Sequence, residues 1–134
     1  MLMNLAKVQA ALSRRFDRLS MHGISFNDFM ILFLLHRAAG EQMRRIDLAD
    51  NMGVTASGIT RMLLPLEKIG LIKREANERD ARVSYVALTA AGKRLYEDAR
   101  ETANALAKEI IPAEKIKNAG PLTDILAHLG GSIS

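Results

Sequence analysis

Leu5, Val8, Leu12, Phe16 and Leu19 recur at steps of three and four, which draws an apolar stripe along a helix over about Met3 to Leu19. Lys7, Arg14, Arg15 and Arg18 fall on its opposite face. Gly23 breaks the pattern, and Ser25 with Asp28 three residues on resembles a capping box that opens a second helix, Ser25 to Ala39. The run from Phe29 to Leu35 is apolar on every side, which marks a helix buried all round. Gly40 ends it. Ile46 to Met52 reads as a short amphipathic helix, closed by Gly53 in the left-handed conformation. A longer helix follows from Thr55 to Ile69, with Ile59, Met62, Leu63, Leu66 and Ile69 on its core side and Ala56, Ser57, Thr60, Arg61 and Lys68 facing outwards. Pro65 removes a backbone donor inside this helix and predicts a slight bend; Gly70 stops it.

The period then changes. Leu71 to Ala76 and Arg82 to Leu88 read as strands joined by a polar turn, Asn77 to Ala81, with Val83, Tyr85 and Ala87 alternating against Arg82, Ser84 and Val86. Two strands alone are marginal in water, so this hairpin must lean on the helices beside it. Thr89 is placed to cap a long helix reaching about Ile111, with Leu95, Ala99, Ala103, Leu106 and Ile110 aligned. Pro112 interrupts it, and Pro121 opens a last helix through Leu129 whose Leu122, Ile125, Leu126 and Leu129 share one face. The pattern is mainly α with a small β-hairpin wing. It describes a winged helix-turn-helix over residues 25–92, flanked by helical segments at 1–22 and 93–134. Such an object lays its second helix in the major groove of DNA and leaves a cationic finger free for the backbone or minor groove.

Composition narrows the picture without redirecting it. At 134 residues, 49% hydrophobic and 25% charged, the chain reads as one ordinary globular domain, or as one domain with an appended oligomerisation element. Its longest apolar run falls far short of the roughly 20 residues that cross a bilayer, and the opening residues lack a signal-peptide pattern. The expectation is a cytoplasmic protein with no membrane contact. There is no cysteine, which removes disulfides, thiolate zinc sites and thiol redox sensing within the chain. A formal charge of +4 permits nucleic-acid binding but does not establish it. His22, His36 and His128 lack metal-ligand spacing. No serine sits in a nucleophile elbow, and no glycine-rich loop could hold nucleotide phosphates. The reading is therefore not an enzyme, with no metal and no cofactor.

The string D-A-R-V-S-Y-V-A-L-T-A-A-G resembles the signature D-x-R-x-x-x-x-x-L-T-x-x-G of the MarR family of bacterial winged-helix regulators, with Asp80, Arg82, Leu88, Thr89 and Gly92 on its fixed positions. Upstream, M-R-R-I-D-L-A-D-N-M-G-V-T-A-S-G-I-T-R resembles that family's helix-turn-helix, and L-E-K-I-G-L-I-K-R its passage into the wing. Pro65 departs from the pattern and bears on the direction of the reading helix. The resemblance implies a homodimer in which the terminal helices of two subunits interlock, each subunit offering one winged helix to half of a palindromic operator. It also implies a small aromatic or phenolic effector, held between the dimerisation helices and the winged helix. Phe26, Met30, Phe33 and Arg37 could line such a cavity but read more readily as plain core, so the effector site stays unassigned. Independently, the apolar stripes on 3–19, 89–111 and 121–129 are more than a chain of this size covers by itself, which points to self-association.

The contact chemistry follows from residue type. Thr55, Ala56 and Ser57 are short enough to let the first turn of the reading helix approach a groove; hydroxyls can donate to phosphates or base edges, and the alanine methyl can meet a thymine methyl. Thr60 and the cationic Arg61 come next along the helix; Arg61 either reads a guanine bidentately or clamps a phosphate. In the wing, Arg82 is the expected DNA contact, with Asp80 orienting its guanidinium. Arg79 and Lys73 or Arg74 read as phosphate neighbours, and Arg44 and Arg45 can approach the backbone. The expected function is a sequence-specific DNA-binding transcriptional regulator, a dimeric repressor relieved by a small molecule. The alternative is a protein-interaction winged helix that docks a partner without DNA.

Overall fold

The computed structural model describes residues 1–76, 79–80 and 82–133. Helix α1 spans Leu2–Arg15 and passes into a 3-10 segment, Phe16–His22, closed by Gly23 at φ 77°. The first stripe is therefore carried by two stacked pieces rather than one helix to Leu19. Helix α2 (Phe26–Arg37) begins on the expected capping box: Ser25 Oγ accepts from Asp28 N at 3.1 Å, and the Asp28 carboxylate accepts from Ser25 N at 2.9 Å. Ile31, Leu32, Leu34 and Leu35 are fully buried, but Phe29, Met30 and Phe33 of the same run are half-buried, so the helix is not enclosed on every side as expected.

Strand β1 (Gln42–Arg44) precedes helix α3 (Arg45–Met52), and Gly53 at φ 67° turns the chain into helix α4 (Ala56–Lys68). Thr55 caps α4 by accepting from Gly58 N at 3.0 Å. Pro65 lies inside α4, which runs on past it to Lys68. Ile59, Leu63 and Leu66 are buried, but Ile69 is 61% exposed rather than part of the core. The helix has ended one residue earlier, so the step of three and four no longer places that side chain.

Strands β2 (Ile72–Ala76) and β3 (Ser84–Leu88) form the antiparallel hairpin, pairing Ile72 with Leu88 and Ala76 with Ser84. Of the expected turn, Asn77, Glu78 and Ala81 lie outside the described residues. Two expectations need correction here. The sheet has three strands in the order β1-β3-β2, with Met43 opposite Val86, so β3 is central rather than one half of a lone hairpin. Burial along β3 also fails to alternate: Val86, Ala87 and Leu88 are all buried, because this strand lies between two others and packs against α2 and α3.

Helix α5 (Ala90–Ile110) starts at its Thr89 cap, where Oγ1 accepts from Gly92 N at 3.0 Å and donates to Gly70 O at 2.6 Å. Thr89 N also donates to Leu71 O at 3.1 Å. Gly92 is buried in this crossing, and a Cβ built on it would stand only 2.0 Å from Leu71 O. Tyr96, Ala99, Ala103 and Leu106 turn inwards; His22 Nε2 meets Thr102 Oγ1 at 2.8 Å, and Arg18 pairs with Glu109 at 3.2 Å, so the 3-10 segment is strapped along α5.

Helix α6 (Gly120–Leu126) runs into a π-type turn, Ala127–Gly131, short of the regular helix expected to Leu129. No residue of α1 or α6 is buried. Leu2, Met3 and Val8 on α1, and Leu122, Ile125, Leu126 and Leu129 at the other end, present apolar side chains to solvent. Among the described residues, no helix is long and apolar enough to cross a membrane.

The Gly92 contact yields a direct test. Gly92→Ala should lower stability by about 3 kcal/mol, because backbone rather than a pliable side chain must move to admit the methyl. Gly120→Ala, with nothing within 4 Å of the added atom, should be close to neutral. Urea unfolding at fixed protein concentration measures both; equal midpoints would refute the packing argument.

Candidate nucleic-acid interface

Helix α4 buries one side and offers the other. Thr55, Ala56, Ser57 and Arg61 are exposed, and Thr60 is half-buried. These five sequence-predicted residues lie within the cap and first turns of one helix, where free amide groups and the positive end of the helix dipole favour an approaching phosphate. Their hydroxyls are not equally available. Thr55 Oγ1 is engaged as the cap, with Ser57 Oγ 3.3 Å away. Thr60 Oγ1 donates to Ala56 O at 3.0 Å and accepts from Arg45 Nη1 at 2.6 Å. Ser57 and Arg61 are thus the side chains most free to reach outwards.

The wing carries the second part. Arg82 is 91% exposed at its side chain, and Asp80 grips it with both oxygens, Oδ1 accepting from Nε at 3.1 Å and Oδ2 from Nη2 at 3.3 Å. Oδ1 also accepts from the Arg82 amide at 3.0 Å. The side-chain bond from Arg82, with the amide bond adding to it, holds the Asp80 carboxyl below the usual carboxylate range. This is the orienting pair the sequence suggested: a long cation held upright before any ligand arrives. Arg79 is also exposed on the wing and makes an interaction of its own.

A cleft lined by Arg44, Arg45, Ile46, Arg82, Val83 and Ser84 joins the wing to the start of α3. Arg44 is taken up by Asp47, which accepts from Nε at 2.8 Å and from Nη2 at 3.0 Å. Lys73 pairs with Glu75 at 3.0 Å and Arg74 with Glu67 at 2.9 Å, so those two cations are locally balanced. Exposed pairs of this kind contribute little to stability and exchange one anion for another readily. Arg45 is different: it reaches across to α4 and binds Ala56 O and Thr60 Oγ1, a bridge that residue type alone did not suggest.

Phe26, Met30 and Phe33, which could have lined an effector cavity or simply been core, are half-buried against the core, Phe26 stacking on Phe16 at 4.5 Å. Arg37 is exposed with its guanidinium 5.7 Å from the Phe33 ring centre. Tyr96, which the sequence reading passed over, stacks on Phe29 and lies tilted against His36; burial pushes its phenol pKa up, opposed by Arg100. Among the described residues, no group of acidic or histidine side chains could hold a metal ion.

A family model for the MarR family matches residues 24–84. An uncharacterised HTH-type transcriptional regulator of Bacillus subtilis, YdgJ, is 27% identical over 112 residues, covering 84% of this chain and 67% of that protein. A mutant MarR from E. coli, solved in complex with operator DNA, superposes with a TM-score of 0.81 at 23% identity, over 95% of this chain and 91% of that one. NadR, solved in complex with 4-hydroxyphenylacetate, superposes with a TM-score of 0.74 at 28% identity, over 96% and 90%.

The wing pair predicts its own titration. A carboxylate whose folded pKa is depressed keeps its partner above that pKa and loses it as pH falls through it, so the pair is intact at neutral pH and opens only in acid. In a carboxyl-carbon NMR titration, Asp80 should show a midpoint below the ordinary aspartate value, and Arg82→Ala should move it back up. A midpoint unchanged by that substitution would mean that Arg82 is not its partner in solution.

Proposed function

We propose that this chain, whose residues 24–84 match the MarR family model, acts as a dimeric repressor on a palindromic operator. Each subunit lays the first turns of α4 in a major groove and sets Arg82 on the neighbouring backbone or minor groove. The observation that carries this reading is the exposure of Ala56, Ser57 and Arg61 on one helix end beside an exposed arginine already held by Asp80. A side chain oriented in advance loses less conformational freedom on binding. The E. coli MarR mutant solved in complex with operator DNA shares this fold, which supports DNA as the ligand.

Assembly follows from the outer helices. Exposed apolar side chains on α1 and α6 are what two interlocking subunits would cover, and that covering would set the spacing of the two reading helices. Half-sites about one helical turn apart, ~34 Å, are the geometry such a dimer serves. The 4-hydroxyphenylacetate complex of NadR supports extending the proposal to a small aromatic or phenolic effector that changes this spacing.

Binding to a duplex selected by the protein from random-sequence DNA tests the reading. Affinity should fall steeply with salt, and Arg82→Ala should weaken it by about tenfold while the dimer mass stays unchanged. Removing residues 113–134 should do the opposite and lower the mass seen by light scattering. A salt-insensitive interaction, or a protein partner recovered where no duplex is selected, would favour the docking-module alternative.

A further inference from the structure

We infer that Arg45 is a positioning residue that locks the first turn of the reading helix and restricts what Thr60 can offer a base pair. The inference rests on the DNA-binding reading for its consequence, though not for its geometry. Arg45 is the first residue of α3 and is half-buried. Its Nη1 donates to Ala56 O at 3.1 Å and to Thr60 Oγ1 at 2.6 Å, and Thr60 Oγ1 donates to the same Ala56 carbonyl at 3.0 Å. Three groups therefore close a small ring of hydrogen bonds between the two helices of the helix-turn-helix.

Two consequences follow. First, both ends of α3 are tied to the start of α4: its last residue by the short Gly53–Thr55 turn, and its first by this guanidinium. Buried contact between the helices holds them together, but the charge-assisted bond fixes the rotation of the exposed turn. Second, the Thr60 hydroxyl hydrogen is spent on Ala56 O, so Thr60 has no donor left for a base acceptor. What remains is a methyl group and one acceptor lone pair. A residue that looked like a hydroxyl reader is held as a mostly apolar one, the surface that suits a thymine methyl. The expectation that Arg45 reaches for the DNA backbone is replaced by an inward role.

The test has an arm without DNA and an arm with it. In amide hydrogen exchange on the free dimer, Arg45→Ala should speed exchange within residues 58–61 while leaving α5 unchanged. Thr60→Val, which removes the acceptor without touching α3, should give the same local pattern even if Arg45→Ala were to unfold. Unchanged exchange in both variants would overturn the inference. On the selected duplex, Arg45→Ala should lower affinity by about tenfold while affinity for a scrambled duplex and the slope of log affinity against log salt stay as in the parent. Loss of a direct phosphate contact would instead lower that slope by about 0.9 and weaken both duplexes alike, which would also overturn it. Adding Thr60→Val to Arg45→Ala should change little further, since the two act as one unit; additive losses would separate them. Should the parent select no duplex at all, the functional reading fails while the exchange result still decides the role of Arg45.

Discussion

The molecule hangs on one close crossing of backbone over backbone. The start of α5 lies so near the link between α4 and β2 that only a hydrogen fits on Gly92, and Thr89 fastens the crossing with its hydroxyl and its amide. Every element that could touch a ligand radiates from this point. Helix α4 enters it, the wing leaves and returns through it, and α5 departs from it towards the rest of the molecule. Leu88, buried beside it, completes the reason for the spacing L-T-x-x-G: one residue fills the core, one caps and ties, and one must have no side chain.

Around this clamp the charged groups are arranged in graded readiness. Asp80 and Asp47 each hold an arginine with two oxygens, while Glu67 and Glu75 answer the cations of β2. The wing and helix ends therefore present positive groups whose directions are set but whose charges are balanced at rest. An approaching polyanion meets cations that do not need to be found among many rotamers. Arg82 holds the Asp80 carboxyl below its ordinary range, which keeps that pair intact at neutral pH.

Much of this was legible in the residues because periodicity and caps are local. The capping box at Ser25 and Asp28, the cap at Thr89 and the left-handed Gly53 all stand where the sequence placed them. What escaped it was non-local. Strand β1 is three residues long, too short to show a period, and it exists only because Val86 offers its edge from far along the chain. Ile69 was misplaced because a helical period has no force beyond the helix's last residue. Tyr96 stands three residues before Ala99 on the buried side of α5, a step the reading gave to Leu95 instead, and its contacts with Phe29 and His36 are the non-local part. Arg45 read as a surface cation because nothing in an arginine's neighbours announces a partner fifteen positions away.

Helix α5, 21 residues in one unbroken piece, is a beam of about 32 Å fixed at one end to the clamp. A stiff beam converts angle into distance. Tilting it by about five degrees at one end sweeps the other through roughly 3 Å at that length. Two such beams joined tail to tail would move their far tips in opposite senses, doubling the change in gap. A modest disturbance where the beams meet is thus enough to bring two outlying surfaces into or out of step with a ruler of fixed pitch.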